Sequence, residues 1–248
     1  MASVSLLSTK GLTRHFGGLK AVNQVDFEIR TGEIRALIGP NGAGKTTFVS
    51  LLSGRITPTS GSIEFLGADI TDDPAHKRVR DGIAYTFQIT SIYGTLTAYE
   101  NVELSVQSAL RRSPRPAGMS GHALLRRKTL EALDRVGLGD RAGERAGTMS
   151  YGHQRLLEVA MGLALEPKLL ILDEPTQGLS DGEIENFCTL VKEIARSATV
   201  LLIEHNMPVV MQLADTITVL DHGEILASGT PEEIRANEAV QAAYLGAA

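Results

Sequence analysis

Short apolar β-type runs dominate the first quarter of the chain. "FEI", "IRALIG" and "GSIEFLG", between Val4 and Phe65, predict strands, and the outer ones predict an antiparallel sheet flanking the unit that opens with "IRALIG". After Ile83–Gln88 ("IAYTFQ") the pattern turns helical and polar. From Thr95 to Gly162 two helix-like segments are separated by "RRSPRPAGMSG", a Pro/Gly/Ser-rich hinge or loop. Two apolar strands then return, "KLLILDEP" and "TVLLIEHN", separated by the amphipathic stretch Asp181–Arg196. Strand, helix and strand at that spacing predict a crossover in a buried parallel sheet. The tail "TITVLDHGEILASG" predicts a hairpin about His222–Gly223, and "TPEEIRAN" a threonine-capped helix with proline in its first turn. The whole pattern predicts an α/β core interrupted by a mostly helical insert.

Composition narrows this picture. The 248 residues suffice for one large or two small domains, and 43% hydrophobic residues suffice for a sizeable core. A net charge of -5 argues against nucleic acid as the main partner, because a binder of the phosphate backbone is usually basic. The single cysteine, Cys188, has no internal disulfide partner, which fits a reducing cytoplasm. The start "MASVSLLSTKGLTRHF" does not read as a secretion signal, and no apolar run approaches the ~20 residues of a membrane span. The basic cluster Arg111, Arg112, Arg115 and Arg126–Lys128 reads as a solvated face or as a surface for anionic lipid or partner loops.

The most specific chemistry lies at Gly39-Pro40-Asn41-Gly42-Ala43-Gly44-Lys45-Thr46, followed by Thr47. It fits G-x-x-x-x-G-K-[ST] with a strand before it and a helix after it. Glycines let backbone N–H groups turn inward around phosphate oxygens, and the helix N-terminus adds positive partial charge. Lys45 is placed to reach the β- and γ-phosphates and the Thr46 hydroxyl to ligate Mg²⁺. The guanine-selecting N-K-x-D pattern is absent. Phe16 is open to two readings, a stacking platform for adenine or an ordinary core side chain.

"LLILDE" (Leu169–Glu174) is an apolar strand ending in two acids. Asp173 is placed to hold Mg²⁺, directly or through water, and Glu174 to act as general base toward the attacking water.

With those motifs in hand, "MSYGHQRLLEVAMGLALEPKLLILDEPTQGL" resembles the signature-to-Walker-B stretch of ABC transporter ATPases. "TFQ" supplies the Q-loop glutamine Gln88, and "LLIEHNM" the switch histidine His205. With "FGGLKAV" near the start and "AYLG" near the end, the whole chain resembles the ATPase subunits of branched-chain amino-acid importers and their urea- and amide-importing relatives. The resemblance implies a P-loop NTPase (RecA-like) core with an antiparallel β subdomain and a helical insert. The core falls at 1–89 and 165–248 and the insert at 90–164 of a single ABC ATPase domain.

It further implies ATP and Mg²⁺ as ligands. Gln88 is implied as a Mg²⁺ ligand and hinge, and His205 as a contact to the γ-phosphate that orients the water. The family's ATPase domains meet head to tail, so Ser150 and Gly152 of the signature would meet the nucleotide of a partner ATPase, a second copy or a paralogue. Integral membrane permease subunits and, indirectly, an extracytoplasmic solute-binding protein are the further partners. The implied place is peripheral, on the cytoplasmic face of the membrane.

Ile89–Val102 reads either as the wall of a groove for a membrane-domain helix or as packing within the insert. The other five histidines, His15, His76, His122, His153 and His222, read as surface or loop residues. Three positions depart from the family's commonest pattern, namely Tyr151, His153 and Ser180. Two function classes follow: an energy-coupling ATPase of an amino-acid-type importer, or a soluble ABC-type ATPase with a non-transport role. The acidic balance and the full-length resemblance favour the first.

Overall fold

The computed structural model describes residues 4–86, 91–112 and 120–245. In chain order the elements are β1 (Ser5–Phe16), β2 (Leu19–Arg30), β3 (Ile34–Ile38), α1 (Lys45–Leu52), β4 (Ser60–Phe65), β5 (Ala68–Asp69), α2 (Ala75–Asp81) and β6 (Ile83–Thr86). The helices α3 (Ala98–Leu110), α4 (Gly121–Arg135) and α5 (Tyr151–Ala164) follow, then β7 (Leu169–Asp173) and α6 (Asp181–Ile194). The chain closes with β8 (Thr199–Ile203), α7 (Met207–Leu213), β9 (Thr216–Asp221), β10 (Glu224–Gly229), α8 (Pro231–Ala236) and α9 (Glu238–Leu245). They fall into two compact units, Met1–Arg78 with Val191–Ala248, and Val79–Leu190.

The first unit carries the predicted antiparallel sheet, in the order β2-β1-β4-β5. In β2 Val25, Phe27 and Ile29 are buried while Asp26, Glu28 and Arg30 are exposed, the alternation of a sheet with one wet face. Against that pattern β3 and β8 are almost continuously apolar, and β3 runs parallel to both β8 and β9. Strands buried on both faces need apolar residues at every position. The hairpin β9–β10 turns at His222 (φ +47°) and Gly223 (φ +82°), the paired left-handed residues that fit the twist of a two-residue hairpin. Thr230 caps α8 in a reciprocal box with Glu233, and Pro231 opens the helix. A core of Ala36, Ile38, Val210, Ile217, Val219 and Ile234 joins β3, α7, β9 and α8.

Arg78 of α2 is 1% exposed, although arginine is almost never buried without partners. Its Nη1 donates to the carbonyls of Leu51 (2.7 Å) and Leu52 (3.0 Å), its Nη2 to Thr71 and its Nε to Asp73 (both 2.9 Å). Leu51 and Leu52 end α1, so the guanidinium joins the Gly54 N–H at the Leu51 carbonyl, answers that of Leu52, and adds positive charge at the helix's negative pole. A side chain at Gly54 would crowd the Arg78 Nε and the Asp73 carbonyl. Burial lowers the pKa of the Arg78 guanidinium.

The second unit packs α3 against α4 and α5, beside the parallel pair β6–β7. Thr97, Ser120 and Ser150 cap these three helices. Arg112 corrects the picture of a wholly solvated basic face. Its guanidinium turns inward and donates to the carbonyls of Val79 (2.6 Å), Arg80 (3.0 Å) and Leu165 (2.8 Å). Arg127 pairs with Glu131 and Lys128 with Glu166, while Arg115 lies outside the described residues. Among the described residues no helix is long and apolar enough to cross a membrane.

Replacing Arg78 by methionine removes the guanidinium donor from the Leu52, Thr71 and Asp73 carbonyls, while the Leu51 carbonyl keeps the Gly54 N–H (3.2 Å). The expected loss is about 2–4 kcal/mol of unfolding free energy, read by urea denaturation of the nucleotide-free protein.

Candidate functional site

In the first unit the glycine loop links β3 to α1. Gly39 (φ +153°) and Gly44 (φ +100°) take backbone conformations that side chains rarely adopt. A Cβ at Gly39 would strike the carbonyl of Leu220, and one at Gly44 the carbonyl of Ala21. The Gly223 N–H donates to the Ala43 carbonyl (2.9 Å), and the Gly223 carbonyl accepts from Asn23 (2.8 Å). The loop is thus pressed, backbone on backbone, against β2 and the β9–β10 turn. Ala43 is buried, Pro40 and Thr47 are half-buried, and Asn41, Gly42 and Thr46 are exposed.

Side chains cap α3, α4, α5, α7 and α8, through Thr97, Ser120, Ser150, Asn206 and Thr230. α1 is different. Gly44 offers no side-chain cap, and no acidic residue stands in the first turn. The first backbone N–H groups of a helix lack intrahelical acceptors, so this end suits an anion. Lys45 folds its ammonium back on the loop, donating to the carbonyls of Gly39 (2.6 Å) and Pro40 (3.0 Å).

Phe16, at the end of β1, is 47% exposed, so it is not an ordinary core side chain. The Arg14 guanidinium lies 4.7 Å from its ring centroid. His205 follows β8 with its side chain 61% exposed. The sequence reading missed its neighbour Glu204, buried to 1%, whose carboxylate accepts from the backbone N–H groups of His205 and Asn206 (both 2.9 Å). An acid closing a buried strand was the available signal, the same one that marks "LLILDE". His15 is half-buried inside β1 and His153 half-buried in the first turn of α5, which corrects their reading as surface or loop residues.

In the second unit Asp173 ends β7 and is 3% exposed. The Tyr85 hydroxyl donates to its Oδ2 at 2.6 Å. Glu174, half-buried, has φ +47°, a left-handed conformation that costs a non-glycine residue about 1–3 kcal/mol and is held only by its surroundings. Part of that hold is Arg155, which donates to the Glu174 carbonyl (3.2 Å) and pairs with Glu158 (2.8 Å). The Arg155 and Glu158 side chains are 3% and 6% exposed. Nothing in the sequence pattern marked Tyr85, Arg155 or Glu158.

Ser150 is exposed and caps α5, its Oγ accepting from the His153 N–H (3.3 Å) and lying 2.9 Å from His153 Nδ1. Gly152 is buried, and a side chain there would meet the Glu183 carboxylate, a packing reason for glycine. Glu183 accepts from the Ser180 N–H (2.8 Å) and hydroxyl (2.7 Å), which hold its carboxyl below the usual range, with a smaller effect from His153. Gln88 lies outside the described residues. A cavity of about 270 Å³ is lined by Tyr85, Ser91, Ile92, Tyr93, Glu158 and Met161, among others. Tyr93 is 58% exposed, so it does not belong to the insert's own core.

Among the described residues no group of three or more His, Cys, Asp or Glu side chains converges as a metal cage. One buried carboxylate at a strand end suits Mg²⁺, which takes most of its ligands from phosphate and water.

A glycine cradle opening an uncapped helix, with acids closing a buried parallel strand, defines a P-loop nucleotide-binding ATPase. Residues 22–177 match the ABC transporter family model, and residues 224–248 match that of the branched-chain amino acid ATP-binding cassette transporter. The chain is 41% identical over 252 residues to the high-affinity branched-chain amino acid transport ATP-binding protein BraF of Pseudomonas aeruginosa, covering 98% of each. It is 40% identical over 255 residues to LivG of Escherichia coli, covering 99% of this chain and all of that one. Among solved structures, a nucleotide-free ATP-binding cassette from an ABC transporter superposes with a TM-score of 0.85 at 26% identity, over 97% of this chain and 99% of that one. A dimeric cassette in a post-hydrolysis state bound to ADP and Pi gives 0.79 at 27%, over 91% and 99%. The chain belongs to the ABC transporter family, as one of its ATP-binding subunits.

Gly44→Ala combines a left-handed φ with a collision against Ala21, whereas Gly42→Ala meets only the strain of φ +82° in open space. The first is expected to weaken ADP binding and lower stability by about 1–3 kcal/mol, the second to be the milder of the two in both respects. ADP titration and thermal melting of the two variants provide the comparison.

Proposed function

We propose that the chain hydrolyses ATP, with Mg²⁺, to drive import of branched-chain amino acids through membrane permease subunits. The observation that carries the substrate class is the 40–41% identity with BraF and LivG over nearly the whole of each chain. The match of the last 25 residues to the branched-chain amino acid cassette points the same way.

Each candidate residue has a defined task in this reading. Backbone N–H groups of Gly42, Ala43, Gly44, Lys45, Thr46 and Thr47 receive phosphate oxygens, with Gly39, Pro40 and Asn41 shaping the loop. On ATP binding the Lys45 ammonium exchanges the carbonyls of Gly39 and Pro40 for phosphate. The exposed ring of Phe16 stacks on adenine. Thr46, Gln88 and Asp173 would hold Mg²⁺, which would supply positive charge against the phosphates. Glu174 takes the proton of the attacking water, its orientation fixed by the backbone bond from Arg155. His205, braced through Glu204, contacts the γ-phosphate and orients that water.

A partner ATPase, a second copy or a paralogue, completes the unit head to tail, its nucleotide meeting Ser150 and Gly152 of this chain. The dimeric structure of a related cassette supports that assembly. The permease subunits hold the protein at the cytoplasmic face of the membrane, with a helix of theirs against the surface that carries the exposed Tyr93. An extracytoplasmic solute-binding protein delivers the solute on the other side.

Glu174→Gln removes the base and leaves the phosphate loop intact. It is expected to retain ATP binding while turnover falls by about 10²–10⁴-fold. Turnover at the wild-type rate would remove Glu174 from the mechanism. Capture of the protein from detergent-solubilised membranes without any integral membrane companion would favour a non-transport ABC ATPase instead.

A further inference from the structure

We infer that Tyr85 is a positioning residue for the metal-holding carboxylate, setting the orientation of Asp173 through its phenolic hydroxyl. The inference rests on the proposed Mg²⁺ role of Asp173.

β6 and β7 run parallel with Tyr85 opposite Ile171, which brings the tyrosine within reach of the strand's last residue. The 2.6 Å separation between the hydroxyl and Asp173 Oδ2 lies in the short range of hydrogen bonds from a hydroxyl to an ionised carboxylate. Such a bond has three effects. It fixes the rotation of the carboxylate about its Cβ–Cγ bond. It engages Oδ2, so the two carboxylate oxygens are no longer equivalent toward a cation. It also shares the carboxylate's charge in a place where the residue is 3% exposed and has almost no solvent to do so.

Outer partners of this kind orient metal ligands, and their loss typically costs about 10–100-fold in metal affinity or activity. Mg²⁺ demands near-ideal octahedral geometry, whereas Ca²⁺ accepts irregular coordination. A carboxylate held at one angle therefore favours Mg²⁺, and one free to rotate discriminates less.

The test is a titration of MgCl₂, and separately CaCl₂, into purified protein with a non-hydrolysable ATP analogue, followed by calorimetry. Tyr85→Phe keeps the ring and removes the hydroxyl. It is expected to need about 10–100-fold more Mg²⁺ for half-saturation, with a smaller change for Ca²⁺ and unchanged analogue binding in EDTA. A wild-type Mg²⁺ midpoint in a variant whose melting curve is intact would overturn the inference. So would an equal loss with both cations and in EDTA, the mark of a merely structural tyrosine. Asp173→Asn separates this from the parent reading. If it leaves the Mg²⁺ midpoint unchanged, the metal role of Asp173 fails and the role of Tyr85 with it. If it raises the midpoint while Tyr85→Phe does not, only Tyr85 is removed. Tyr85→Met, also without a donor, carries the same expectation should the phenylalanine variant not fold.

Discussion

The close approach of three backbone segments around the phosphate loop is the constraint on which the first unit is built. Gly39 faces the Leu220 carbonyl, Gly44 faces that of Ala21, and Gly223 joins Ala43 to Asn23 through both its peptide groups. No side chain fits at these contacts, so the loop's shape is set by main-chain packing against β2 and the β9–β10 hairpin. That shape leaves the α1 N-terminus uncapped, whereas α3, α4, α5, α7 and α8 each begin under a side-chain oxygen. An anion-binding end is thus prepared by the fold before any ligand arrives.

The second unit solves a different problem, that of keeping two adjacent acids in fixed and different settings. Asp173 is buried and bonded to a tyrosine, whereas Glu174 sits half-buried in a left-handed turn whose carbonyl is tied to Arg155. Arg155 in turn pairs with Glu158 in the interior, where an ion pair adds little net stability but is costly to break. Geometry rather than stability is what such a pair supplies here, and the geometry concerns the backbone of the residue proposed as base.

Local patterns were readable from the sequence. The spacing of Gly39, Gly44 and Lys45 lies within a few residues, and the hairpin at His222–Gly223 and the cap at Thr230 are equally short-range signals. The antiparallel sheet followed from the β-type runs at the start, and the parallel strands from the strand–helix–strand spacing. What the sequence hid depends on contacts between distant positions. Tyr85 and Asp173 are 88 residues apart, and nothing about either residue type announces the other. Arg112 looked like one charge in a basic cluster, yet it meets backbone carbonyls 33 and 53 residues away. Arg78 drew no notice because nothing in "AHKRVRD" sets it apart from its basic neighbours Lys77 and Arg80.

Arg78 also gives the nucleotide a second meaning. Its guanidinium sits at the negative pole of α1, as the helix dipole favours, but Lys45 stands at the positive pole, where a cation is out of place. Main-chain carbonyls answer a cation at each end of α1, those of Leu51 and Leu52 answering Arg78 and those of Gly39 and Pro40 answering Lys45. Under the proposed function, a triphosphate would bring negative charge to the end of α1 where the helix dipole favours it, so one helix would be answered by opposite charges at its two poles.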